Sequence, residues 1–99
     1  MLTNEIVLRV FSDYLAADDA CEVLHTRHGY AVLEWETEKQ EWNNVLHCET
    51  PEDLRDALLN MYRSYRACLM VESNDDGELS DDELSLIENE CRVLVSKCV

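Results

Sequence analysis

Residues 72–83 read ESNDDGELSDDE, and seven of these twelve side chains are carboxylates. Oxygen donors at this density suit a hard cation. The same letters also suit a polar connection between two helices. Asp76-Gly77 is turn chemistry after a helix. Ser80 with Glu83 three residues later spells a capping box, and Asp81 and Asp82 would sit at the positive end of the helix that follows.

In these twelve residues the chain resembles an EF-hand calcium loop, D-x-[DN]-x-[DN]-G-x5-E. Gly77 falls at loop position 6, where the turn is sharp. The resemblance implies calcium ligands at Glu72, Asn74, Asp76, the Glu78 carbonyl, Ser80 and Glu83, with Glu83 closing the shell as a bidentate carboxylate. Glu72 stands where the family has Asp, and no second loop pairs with this one. The resemblance covers about one eighth of the chain.

Other candidate chemistry is sparse. His25, His28, His47 and Cys48 are zinc-type ligands. Their spacing straddles a turn, and it sends His47 and Cys48 to opposite faces of a strand, so packed or surface histidines are expected. No serine or cysteine stands in a nucleophile signature, and two glycines cannot build a phosphate-cradling loop. No carboxylate pair stands out as an acid/base couple. The chain does not read as an enzyme, and it implies no cofactor beyond the calcium of the loop resemblance. Arg55, Arg63 and Arg66 lie on one helix, off its apolar stripe. They are expected to pair with neighbouring acids, each pair contributing little.

Charge is the most extreme property. Twenty-two acids against eight bases give a net charge of −14. Nucleic acid and anionic membrane surfaces would repel such a chain, and a basic protein surface would attract it. The acids form two patches. One comprises Glu34, Glu36, Glu38 and Glu41, with Trp42 beside it as an anchor. Strand alternation puts Glu34 and Glu36 on an outer face ~7 Å apart, close to the ~7 Å between alternate phosphates of a nucleic-acid strand. The other patch is Asp75, Asp76, Glu78, Asp81 and Asp82.

These residues must be carried by one small domain, since 99 residues support a single modest core. Thr3 caps a helix over about 4–16, with Ile6, Val7, Val10, Phe11, Tyr14 and Leu15 as its apolar stripe. Residues 21–26, 30–36 and 42–48 read as strands, joined by a tight turn at Arg27-His28-Gly29 and a polar one at Thr37–Glu41. In the middle strand Ala31, Leu33 and Trp35 form the more apolar face and are expected to point to the core. Thr50-Pro51 starts a helix over about 51–71. Ser80 starts another, with Leu84, Ile87, Cys91, Leu94 and Cys98 as its stripe. The expectation is an α+β domain of order α-β-β-β-α-α, a three-stranded antiparallel meander packed against helices.

Five cysteines with scattered spacing and no C-x-x-C do not make a disulfide framework. They read as reduced, mostly buried thiols of a cytoplasmic protein. The N-terminus lacks the basic region of a signal peptide, and no apolar run reaches membrane-spanning length. In size, charge and simplicity the chain resembles the small acidic inhibitors of phages and mobile elements, nucleic-acid mimics and anti-CRISPR proteins among them. That resemblance implies contact with a basic, nucleic-acid-binding protein surface. The alternatives are calcium binding at 72–83, or a ligand-free domain that dimerises through an exposed sheet face or the cysteine-bearing face of the last helix.

Overall fold

The structure, a computed structural model, describes residues 1–98. The elements are α1 (Asn4–Val10), α2 (Ser12–Ala17), β1 (Cys21–Thr26), β2 (Gly29–Glu36), β3 (Glu41–Cys48), α3 (Pro51–Ser73) and α4 (Asp81–Lys97). The three strands form one antiparallel sheet in the order β1-β2-β3. The α+β class and the meander are as the sequence leads one to expect.

Local chemistry sets the helix starts. The Thr3 hydroxyl accepts from the Ile6 N–H, and the Thr50 hydroxyl accepts from the Asp53 N–H. Pro51 occupies the first turn of α3, where its missing N–H is harmless. The N-terminal helix is broken where a continuous one is expected. Phe11 leaves helical geometry, at φ −93° and ψ 8°, while its side chain is fully buried. The Ser12 hydroxyl donates to the Arg9 carbonyl at 2.8 Å, a local bond that competes with the helix. Asp18 ends α2: it accepts from the Tyr14 hydroxyl at 2.6 Å and from the Ala20 N–H at 3.1 Å. That bend delivers the chain into β1.

The core lies between one face of the sheet and the helices. It comprises Val7, Phe11 and Tyr14 of the N-terminal helices, Cys21, Val32 and Cys48 of the sheet, Leu54, Ala57 and Leu58 of α3, and Cys98. Val23 and Tyr30 pack against it. The face expectation for β2 is therefore corrected. The Tyr30/Val32/Glu34 side turns to the helices, and the Ala31/Leu33/Trp35 side is the open one. Register explains the reversal: Val32 pairs with Val23 and Leu46, and Tyr30 pairs with Cys48, so three strands contribute apolar residues to that side. One strand read alone shows only the two glutamates at its end.

Among the described residues no layer covers the open side. The molecule measures 45 × 35 × 18 Å, thin enough for one sheet and one layer of helices. Its radius of gyration, 14.2 Å, exceeds the ~13 Å of a compact chain of this length. Part of that extension is α3, a 23-residue helix whose buried residues lie in its first third. Ile87 and Cys91 are the buried residues of α4. No helix is long and apolar enough to cross a membrane among the described residues. Four cysteines are buried and Cys68 is exposed, all as free thiols. Burial pushes the Cys21 thiol up to about 11, so it is a poor nucleophile at neutral pH.

Two backbone positions shape the sheet. Gly29 has φ +119°, and a Cβ there would stand 2.5 Å from the Cys48 carbonyl oxygen. Asn44 has φ +51° and forms a bulge: Leu33 stands opposite both Asn44 and Val45, between the pairs Val32–Leu46 and Glu34–Asn43. Gly29→Ala is expected to destabilise the fold by about 2 kcal/mol or more, from positive φ and a backbone clash. Urea unfolding should show a lower midpoint at an unchanged slope. An unchanged midpoint would contradict the close packing of β2 against the end of β3.

Candidate functional site

The acidic loop is built from helix ends. Glu72 lies in the last turn of α3, which runs to Ser73. Asn74 follows as the cap residue, with extended backbone at φ −95° and ψ 136°. Its side-chain nitrogen donates to the Glu78 carbonyl at 2.7 Å and to the Glu83 carboxylate at 2.8 Å. Both neighbours are acceptors, which fixes the amide with nitrogen inward. The Asp76 carboxylate accepts from the Glu78 N–H at 3.1 Å, and Gly77 takes the left-handed turn at φ +68°. Ser80 and Glu83 close a reciprocal capping box: the Ser80 N–H donates to Glu83, and the Glu83 N–H donates to the Ser80 hydroxyl.

Of the six residues of the loop resemblance, the structure thus joins Asn74, Glu78, Ser80 and Glu83 through hydrogen bonds of their own. Asp76 bonds within the turn. The Ser80 N–H, and secondly the Asn74 amide, hold the Glu83 carboxyl below its ordinary pKa. These bonds account for the loop as a helix connection. Asp75, Asp81 and Asp82 stand exposed around it. Among the described residues no three His, Cys, Asp or Glu side chains converge closely enough to hold a metal ion.

The histidines are placed singly. His25 stacks on Tyr30, with ring centroids 4.6 Å apart, and His47 Nε2 lies 2.8 Å from the His28 carbonyl oxygen. Cys48 is buried on the other side of β3 from His47.

The second acidic patch is the far end of the β2–β3 hairpin. Register puts Glu36 directly opposite Glu41, with Glu38 in the turn between them. Like charges facing each other across strands are unfavourable. The turn's base is Lys39, and it makes no ion pair within 4.0 Å among the described residues. Glu34 and Glu36 do share a face, as alternation requires. It is the helix-ward face, a correction to their expected outer placement. Glu34 is half-buried and lines a groove with Met61 and Tyr65 of α3. Its carboxylate accepts from the Asn44 amide at 3.2 Å, while Glu36 accepts from Asn43 at 3.4 Å. Trp42 lies on the other face, opposite Trp35, with ring centroids 4.9 Å apart in an edge-to-face pair. The structure therefore does not put Trp42 and the glutamates on one face.

The arginines of α3 are occupied as expected. Arg66 holds Glu90 of α4 through two bonds of 2.9 and 3.3 Å, and the Tyr62 hydroxyl donates to the same carboxylate at 2.8 Å. Arg63 reaches Glu88 at 2.7 Å, and Arg55 pairs with Asp56 on its own helix. Hydrogen bonding by Arg66 holds the Glu90 carboxyl below its ordinary pKa. Partial burial opposes this, and Tyr62 adds to it. Burial, then the bond to Glu90, pushes the Tyr62 hydroxyl up to about 12. The sequence named the arginines but not their partners, because a place off the apolar stripe does not say which element lies alongside.

The chain matches no protein-family model, no curated protein and no solved structure.

Three outcomes follow for the helical hairpin. Ser80→Ala should lower stability by about 1 kcal/mol, or roughly 4–8 °C in Tm, by removing the cap. Calcium at millimolar level, against a magnesium control, should leave the wild-type Tm unchanged. A calcium-specific rise that Glu83→Gln abolishes would overturn the capped-connection account. Glu90→Gln should cost about 1 kcal/mol at neutral pH. A depressed carboxylate pKa contributes stability fully above the ordinary value and loses it as pH falls through the folded value. The gap between wild type and Glu90→Gln, followed by urea unfolding, should narrow on acidification. A gap independent of pH would show that the ion pair contributes nothing.

Proposed function

We propose that this is a small acidic binding module that occupies a basic surface on another protein, of the kind that otherwise holds nucleic acid. In this reading it acts by contact as an inhibitor or nucleic-acid mimic, without a cofactor. One observation carries the reading: the end of the β2–β3 hairpin holds Glu36 and Glu41 face to face, with Glu38 beside them. Such an arrangement stores repulsion that a cationic partner relieves.

The wider charge distribution supports it. No acid is buried among the described residues, and three of them, Asp56, Glu88 and Glu90, pair with arginine. Three of the eight bases are used in those same pairs. The unpaired carboxylates thus face solvent and set the field that an approaching partner meets. The loop acids Asp75, Asp76, Glu78, Asp81 and Asp82 add to this field from the far end of the α3–α4 hairpin. The Trp42 anchor lies apart from the glutamates and is not needed for this contact.

The test is a displacement assay. A basic nucleic-acid-binding domain is loaded with fluorescent duplex DNA, and its release is followed by anisotropy as this protein is added. Release should be strong at low salt and fade at high salt. The triple substitution Glu36→Gln, Glu38→Gln, Glu41→Gln should weaken competition about tenfold or more, at roughly 0.5 kcal/mol for each exposed charge pair lost. Competition that ignores both salt and the triple substitution would sink the reading.

A further inference from the structure

We propose that the uncovered face of the sheet is a self-association surface, seated against the same face of a second copy of this chain. The face is formed by Leu24 of β1, Ala31, Leu33 and Trp35 of β2, and Trp42 and Val45 of β3. Leu24, Trp42 and Val45 are 50%, 47% and 61% exposed, while Leu33 at their centre is 8% exposed. Among the described residues no helix covers this side.

The bulge at Asn44 builds the face. Trp42 and Val45 are three residues apart, so simple alternation would turn one of them towards the helices. The extra residue, with φ +51°, puts both on the side of Leu33. An apolar pair has thus been brought to one side of the sheet, the side of Leu33.

Charge selects the occupant. Of the strand residues on this face, Glu22 is the one carboxylate, in a chain that carries 22 acids. A basic partner finds almost nothing to pair with here. A second copy brings an equally apolar, self-complementary surface, as a two-fold interface requires. Two such sheets would stack ~10 Å apart, with Trp35 and Trp42 in the seam and the helices outside.

This interface and the basic-partner contact respond oppositely to salt. Two copies at −14 each repel one another, so screening strengthens their association. Screening weakens contact with a basic partner. Either proposal can therefore fail without the other.

The test is sedimentation equilibrium of the full chain in reductant, at low and high salt. The mass should rise from 11.5 kDa towards twice that value as concentration increases, and further at high salt. Val45→Glu should restore the monomer with an unchanged far-UV circular dichroism spectrum, and Leu24→Glu should do the same should Val45→Glu not fold. Leu86→Glu, on the exposed side of α4, should leave the dimer intact. A mass of 11.5 kDa throughout overturns the proposal and leaves the face to a different chain. A dimer that survives both strand substitutions, or that Leu86→Glu dissociates, overturns it as well.

Discussion

Everything in this protein rests on one face of a three-stranded sheet. Cys21, Val32 and Cys48 present that face, and Phe11, Leu54 and Leu58 close over it. Each fully buried Leu, Val or Phe contributes about 1.5–3 kcal/mol. With so few of them the fold has little stability to spare. The two-residue connection Glu49-Thr50 swings α3 directly from β3 onto the sheet, and Gly29 lets the end of β3 pass close beneath it. α4 joins through α3, by Ile87, Cys91 and the Arg66–Glu90–Tyr62 cluster. A weakness at the sheet face would therefore reach every other element.

With one side occupied, the remaining surface is divided by chemistry. Carboxylates crowd the hairpin end and the α3–α4 loop, while the open sheet side is nearly free of them. The first arrangement suits a cationic partner, and the second suits an apolar one. The division follows from strand alternation and from the bulge, which together separate Glu34 and Glu36 from Trp42 by the thickness of the sheet. The acidic loop itself is accounted for by helix capping. Asn74, Asp76, Ser80 and Glu83 bond within the connection, and its exposed carboxylates add to the field.

Much of this was legible in the sequence, because much of it is local. Thr3, Thr50 and Ser80 announce their helices by cap chemistry that needs no tertiary context. Gly29 and the polar run after Glu36 announce the two turns. The element order, the α+β class and the occupied arginines follow from such signals. Three features were not legible. Phe11 interrupts the N-terminal helix while its side chain stays on the apolar stripe, and periodicity reports only the stripe. The Asn44 bulge looks like any other strand position until its partner strand is known. The core-facing side of β2 depends on Val23, Leu46 and Cys48 as neighbours, and counting apolar letters along one strand gives the opposite face. The candidate site inherits this limit. The acid residue types were plain, but Glu36 opposite Glu41, and Trp42 facing away, are products of register.

The most direct test compares two valines of the same sheet, Val32→Ala and Val45→Ala, by urea unfolding at the lowest workable concentration. Val32 is buried beneath the helices, and its truncation should cost about 2 kcal/mol. Val45 lies on the open side, and its truncation should stay within about 0.5 kcal/mol. Equal losses, or a larger loss at Val45, would contradict a core built on one face alone.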